Sequence, residues 1–298
     1  MDKVLAIVGP TGVGKTKCSV RLAKALNGEI ISADSMQVYR KMDIGTAKVS
    51  EEEKEGIVHY LVDVQDYNQP YNVMIFQERC RKAIKEIQAK GKLPIICGGT
   101  GLYLKAALYD YVFEEEKEDE EYTKYLQNKE TEELFQMLKE VDPESLEKIH
   151  PNNRKRIIRA LQIAHTGTNK SDREKKQEHK PLYDVYFLGL TCDRDQLHER
   201  INQRVDRMVQ EGLVQEVEDL FTDAKTWGYT SFQGIGYKEF QAYFEKKMDL
   251  NEVIEKIKTN SRRYAKRQYT WFKNQMDVHW FEFTDTNIQS EVEKWMEE

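Results

Sequence analysis

Apolar and polar positions fall into two kinds of block along this chain. Val4-Leu5-Ala6-Ile7-Val8 and Leu93-Pro94-Ile95-Ile96-Cys97 are short, branched, continuous apolar runs, the pattern of strands buried on both faces. Glu29-Ile30-Ile31-Ser32-Ala33, Val58 to Val64, Asp184 to Leu190 and Val278 to Phe283 read the same way. Between them the period changes to 3.6. Leu22, Ala23, Ala25 and Leu26 form a helical stripe, as do Val73, Ile75, Phe76, Ala83, Ile84 and Ile87 within residues 72–90, which Gly91 closes. Further helices are predicted over Leu102 to Tyr109, from Asp193 as cap to Gly212, over Asn251 to Gln275, and over Ile288 to Met296. Strands alternating with helices predict an α/β fold, a parallel sheet flanked by helices. The alternation fails between 113 and 183. Residues 122–166 are helical with little strand character, Asp142-Pro143-Glu144 reads as a helix start, and Lys170 to Lys180 reads as a polar loop. The expected organisation is a core of residues 1–112 and 184–298 around a mainly helical insertion domain, 113–183.

Composition narrows this picture only slightly. With 298 residues, 39% hydrophobic and 33% charged, the chain reads as soluble and globular. No apolar run approaches the ~20 residues of a membrane helix, and strand one begins too early to leave space for a leader peptide. Cys18, Cys80, Cys97 and Cys192 lie far apart, in no metal-ligand spacing, which suits reduced thiols in a cytoplasm. The net charge of −6 argues weakly against a nucleic-acid partner, but the charge is unevenly placed. Residues 114–121 are an acidic block, read as a solvated loop and helix start. Arg154, Lys155, Arg156 and Arg159 lie within one and a half helical turns without an acid, either a solvated face or a phosphate grip. From Lys256 to Gln275 there is again no acid. Lys256, Lys258, Arg262, Arg263, Lys266, Arg267 and Lys273 alternate with Tyr264, Tyr269, Trp271 and Phe272, a pattern suited to a nucleic-acid backbone and unstacked bases.

The most specific chemistry follows the first strand. Gly9-Pro10-Thr11-Gly12-Val13-Gly14-Lys15-Thr16 is a G-x-x-x-x-G-K-T string between a strand and a helix, the context that makes it a phosphate loop. Its glycines let successive N–H groups point inward at a helix N-terminus, Lys15 supplies a charge for the outer phosphates, and the Thr16 hydroxyl is placed to ligate Mg²⁺. The fold expected is therefore P-loop NTPase-like. Asp34 ends the next strand on the same sheet edge, where an acid serves as a helix cap, a Mg²⁺ ligand or a general base. Gly98-Gly99-Thr100-Gly101 is a second glycine turn at a strand's carboxyl end, there for close packing or for a ligand. His59 reads as a structural histidine. Arg200, Arg204 and Arg207 share a helix from which one could project toward developing phosphate charge.

Four readings of these features compete. Asn169-Lys170-Ser171-Asp172 matches the guanine-reading N-K-x-D string, but it follows no strand and no D-x-x-G accompanies it, so a GTPase is excluded. A small-molecule or nucleoside P-loop kinase remains an alternative, although it has no need of the basic–aromatic helix. A pure nucleic-acid binding module has no use for Lys15 and Thr16. A transferase acting on nucleic acid, with its phosphorylated donor in the P-loop, uses every feature.

The motifs resemble those of the tRNA dimethylallyltransferases, or isopentenylpyrophosphate transferases, of bacterial type. The matching strings are the P-loop, Ser32-Ala33-Asp34-Ser35-Met36-Gln37-Val38-Tyr39, Met42-Asp43-Ile44-Gly45-Thr46-Ala47-Lys48 and Gly98-Gly99-Thr100-Gly101-Leu102-Tyr103. They continue with His150-Pro151-Asn152, Arg156 to Leu161, Gly234-Ile235-Gly236-Tyr237 and Ala265-Lys266-Arg267-Gln268-Tyr269-Thr270-Trp271. The resemblance implies transfer of a dimethylallyl group from dimethylallyl diphosphate to N6 of the adenosine 3′ of the anticodon, with Mg²⁺ and a monomeric enzyme. It implies that the P-loop holds the donor's diphosphate, that Asp34 is the general base, and that Arg204 joins Lys15 and Thr16 on the leaving group. It further implies tRNA contacts from Asp34, Ser35, Met36, Gln37 and Thr100, from Lys155, Arg156, Ile157, Ile158 and Arg159, from Gln233, Gly234, Ile235, Gly236, Tyr237 and Lys238, and from Lys266, Arg267, Gln268, Trp271 and Lys273.

Overall fold

The computed structural model describes residues 2–113, 119–175 and 177–298. Six strands form one parallel sheet: β1 (Lys3–Val8), β2 (Gly28–Ser32), β3 (His59–Tyr60), β4 (Leu93–Cys97), β5 (Asp184–Thr191) and β6 (His279–Glu282), in the order β3-β2-β4-β1-β5-β6. Central β1 pairs with β4 through Leu5 opposite Ile95 and with β5 through Leu5 opposite Tyr186. Alternation along β1 feeds two cores. Val4, Ala6 and Val8 point to one face, with Ile84, Phe76 and Phe272, whereas Leu5 and Ile7 point to the other, with Leu22, Leu188 and Val292. Because both faces are covered, the strands carry continuous apolar runs rather than alternating ones.

The chain divides into two compact units, Met1–Tyr109 with Pro181–Glu298, and Asp110–Lys180. The second is helical. Asp119 caps Glu120–Gln127, and Thr131–Val141 and Arg154–His165 enclose a small core of Leu126, Leu134, Leu138, Ile157 and Leu161. Residues 114–118 of the acidic block lie outside the described residues.

Three local expectations change. The strand expected from Val58 to Val64 is only His59–Tyr60, because Leu61 (φ +62°) and Asp63 (φ +55°) take left-handed backbone that leaves the sheet. The polar loop expected from Lys170 contains a helix, Lys170–Lys175, held by Asp142, whose carboxylate accepts from the Ser171 N–H (3.2 Å) and hydroxyl (2.6 Å). The helix start at Asp142-Pro143-Glu144 is a 3₁₀ turn, Pro143–Glu147. The accidental N-K-x-D string therefore runs into that helix rather than following a strand.

A candidate active site at the strand edge

The phosphate loop joins β1 to the helix Lys15–Ala25. Gly9 has φ +140°, and a Cβ there would stand 2.5 Å from the Leu190 carbonyl oxygen, so only glycine lets the loop leave the sheet beside β5. The Lys15 ammonium donates to the Gly9 and Pro10 carbonyls at 3.0 and 2.9 Å. Burial pushes its pKa down to about 8, with Arg204 adding to the fall and Asp34 opposing it.

Two arginines from the helix Arg194–Gln210 reach this loop. Arg204 Nη1 donates to Thr11 Oγ1 (3.0 Å) and Nη2 lies at the limit of bonding distance from the Thr46 carbonyl (3.5 Å). Arg200 Nε donates to the Gly12 carbonyl (2.9 Å), with its guanidinium over the Phe283 ring at 4.6 Å. Arg207 is exposed. Burial lowers the Arg204 pKa and the Asp34 charge opposes the fall, so this cation and this carboxylate share one electrostatic environment.

Asp34 follows β2 and caps no helix. Its Oδ1 accepts from the Met36 and Gln37 N–H groups (2.8 and 3.2 Å), a turn that fixes the carboxylate at the cleft wall. Gln37 bridges onward: Oε1 accepts from Ser32 Oγ (3.2 Å) and Nε2 donates to the Ala47 carbonyl (3.0 Å). The Asp43–Lys48 loop is thus tied to the sheet, and Lys48 reinforces it through Asp43 and Asp63, both at 2.5 Å.

A cleft of about 260 Å³ brings the two ends of the chain together. Thr11, Asp34, Thr46 and Arg204 line it with Tyr264 and Arg267 from the long helix Leu250–Gln275. Ile201, Val205, Met208 and Ile257 give it an apolar side. Burial raises the Tyr264 pKa, as does Asp34, while hydrogen bonding to Thr100 lowers it. Ser261 escaped the assignment from sequence and Tyr264 entered it only as part of the basic–aromatic pattern, although their spacing of three places them on the same helix face.

Not every residue expected at the RNA surface faces outward. Lys155, Arg156, Arg159, Gln233, Lys238, Lys266, Arg267 and Lys273 are exposed, whereas Ser35, Met36, Gln37, Thr100, Ile158, Ile235 and Trp271 are half-buried. Gly234 and Gly236 are buried, and a Cβ on Gly234 would crowd the Met36 sulfur at 2.8 Å. Three side chains correct the expectation. Ile157 belongs to the core of the second unit. Tyr237 is fully buried, its hydroxyl donating to Glu216 (2.6 Å). Gln268 is also buried: its Oε1 accepts from the Thr11 N–H (2.9 Å) and its Nε2 donates to the Gly99 carbonyl (3.0 Å). Gln268 therefore stitches the phosphate loop to the second glycine turn, and a methyl group on Gly99 would run into it. The signal was in the sequence, since Gln268 continues the apolar stripe Val253, Ile257, Ala265, Phe272.

Among the described residues no cluster of three or more His, Cys, Asp or Glu is arranged to hold a metal, all four cysteines are free thiols, and no helix is long and apolar enough to cross a membrane.

A family model described as IPP transferase matches residues 37–275. The chain is 53% identical to a tRNA dimethylallyltransferase of Bacillus cereus, over 99% of this chain and 95% of that protein, and 53% identical to one of Bacillus anthracis, over 99% and 96%. Among solved structures, the full-length tRNA isopentenylpyrophosphate transferase of Bacillus halodurans superposes with a TM-score of 0.76 at 42% identity, covering 100% of this chain and 97% of that one. A eukaryotic dimethylallyltransferase acting on tRNA superposes at 0.83 with 33% identity, covering 98% and 78%. A P-loop, an acid at the end of β2 and an arginine facing both are thus found in a chain that belongs to the IPP transferase family.

Proposed function

We propose that this protein transfers a dimethylallyl group from dimethylallyl diphosphate to N6 of the adenosine 3′ of the anticodon in tRNA. The observation that carries the reading is a single cleft in which Thr11 of the phosphate loop, Asp34 and Arg204 meet Arg267 and Tyr264 of the basic–aromatic helix. A kinase has no need of that last wall. The names of the relatives agree with it.

In the reaction the N6–carbon bond forms as the allylic carbon–oxygen bond breaks, and the leaving diphosphate takes the bonding pair. The exocyclic amine is a weak nucleophile, and Asp34, fixed by two backbone N–H groups, takes its proton as the new bond forms. Negative charge grows on the diphosphate, where Lys15, Arg204 and the loop amides stabilise it. Thr16 is the chain's contribution to a cation site. Its hydroxyl oxygen suits a hard dication such as Mg²⁺, and among the described residues no group of three or more His, Cys, Asp or Glu offers another such site. A dication held there would supply charge neutralisation for the departing diphosphate. The apolar side of the cleft suits the hydrocarbon group of the donor. The target base leaves its stack to reach this depth. The exposed cations of the helix Leu250–Gln275 and Lys155, Arg156 and Arg159 of the second unit hold the RNA backbone. A tRNA substrate supports a cytoplasmic site of action.

The test is incubation with an anticodon stem-loop RNA, Mg²⁺ and either dimethylallyl diphosphate or ATP, followed by mass analysis. A gain of one dimethylallyl group at the adenosine is expected. Unmodified RNA with phosphorylation of a small acceptor would replace this reading with a kinase.

A further inference from the structure

Glu216 belongs to no recognised catalytic string, yet its carboxylate accepts four hydrogen bonds. It lies on the helix Leu213–Leu220. Its Oε2 accepts from the Asp43 and Ile44 N–H groups, both at 2.7 Å, and its Oε1 accepts from the Gly45 N–H (2.9 Å) and the Tyr237 hydroxyl (2.6 Å). Three successive amides converging on one anion form a nest, a concavity that elsewhere holds phosphate or another anion. Here the anion comes from a helix some 170 residues further along the chain.

The two segments joined in this way are walls of the cleft. Gly45 and Thr46 come from one, and Ile235, Gly236 and Lys238 from the other. Their fit is close. A Cβ on Gly45 would stand 2.5 Å from the Tyr237 ring, and one on Gly236 would stand 3.2 Å from the Gly45 carbonyl oxygen. The first segment also accepts from Gln37, whose N–H donates to Asp34, and its Thr46 carbonyl lies 3.5 Å from Arg204 Nη2. The donor's phosphate groups are gripped elsewhere, by the loop of Gly9 to Thr16, which Glu216 does not touch. Burial and the adjoining Glu216 charge hold the Tyr237 hydroxyl far above its ordinary pKa, so it stays a donor.

We infer that Glu216 is a positioning residue for the RNA side of the reaction: by filling the amide nest and binding Tyr237 it sets the wall against which the nucleotide entering the cleft is placed. The inference rests on the transferase reading above and assigns Glu216 to acceptor binding, not to donor binding or chemistry.

Glu216→Gln and Tyr237→Phe test it by two readouts, stem-loop RNA binding by fluorescence anisotropy and steady-state KM for each substrate. Glu216→Gln turns an NH₂ group toward N–H donors, and the expected result is RNA binding weakened on the order of 10-fold, RNA KM raised in parallel, and donor KM within about twofold. Tyr237→Phe removes one bond and is expected to move the same quantities in the same direction, about threefold. Equal rises in both KM values, or RNA binding unchanged in Glu216→Gln, would overturn the assignment. If Glu216→Gln fails to fold by circular dichroism, Tyr237→Phe decides alone, and unchanged RNA binding in it overturns the inference. Wild-type protein that binds the hairpin without prenylating it would refute the proposed reaction, while the binding comparison would still judge Glu216.

Discussion

Replacing Gln268 by leucine separates a packing role from an RNA-contact role. The substitution keeps shape but leaves the Thr11 N–H and the Gly99 carbonyl without the carboxamide that satisfies both. A buried polar group stripped of its partner costs about 1–3 kcal/mol, and the half-exposed position of Thr11 lets water recover part of that. Taking ~1–2 kcal/mol per group and offsetting ~1 kcal/mol for added apolar burial leaves a loss of about 1–3 kcal/mol. For a unit of this size each kcal/mol lowers Tm by about 2–4 °C, so melting should fall by roughly 2–12 °C. Because the Thr11 amide belongs to the phosphate loop, donor KM should rise several-fold while RNA affinity stays within about twofold. Gln268→Glu retains an acceptor for Thr11 and should keep more of the donor affinity than leucine does. Circular dichroism melts, donor KM and hairpin anisotropy measure the three quantities. A Tm within ~1 °C of wild type together with a tenfold loss of RNA affinity would refute this reasoning and return Gln268 to the RNA surface.

Asp34→Asn should reduce turnover by roughly 10²–10⁴ with hairpin affinity nearly intact, because only proton transfer is lost; wild-type turnover in that variant would remove Asp34 as base. Lys266→Ala should weaken RNA binding and lower the salt slope by about one, and an unchanged slope would take this exposed lysine out of the interface. Lys15 in the ligand-free protein is charged below about 8 and neutral above it. Since diphosphate binds the charged form, donor KM should climb as pH passes 8 while turnover at saturating donor stays level; a donor KM flat from about pH 7 to 9 contradicts this. Glu29 is buried, which raises its pKa, but hydrogen bonds from Lys90, Lys92 and Tyr60 outweigh burial and bring it down to about 2. Its contribution is therefore complete above its ordinary 4.5 and lost as pH falls through about 2. Glu29→Gln should cost roughly 2 kcal/mol at neutral pH, allowing for water around the two lysines, and flatten the acid limb of the stability curve, as urea titrations at pH 3 and 7 would register.

Strand–helix alternation, the phosphate loop and the acid after β2 were legible because each depends on residues close in sequence. Arg204 was singled out among three arginines only by resemblance; its bond to the Thr11 hydroxyl depends on contacts between distant segments. Glu216 was invisible for the same reason, since its partners are N–H groups that every residue carries. Gln268 and Tyr237 were misplaced because a polar group in a motif reads as a ligand contact, whereas here each satisfies the backbone or a carboxylate inside the protein. Among the described residues, β3 is short for a reason spacing cannot register: two non-glycine residues accept left-handed backbone.

The helix Leu250–Gln275 runs 26 residues, about 39 Å, and bears Gln268 and Phe272 on its inner side and Lys266 and Lys273 on its outer side. Inserting or deleting a single residue near its middle would rotate everything beyond by about 100°, swinging cations toward the sheet and the glutamine toward water. Only a change of about seven residues, two full turns, would restore the phase. This segment is therefore locked in length, like a camshaft whose lobes must keep their angular timing.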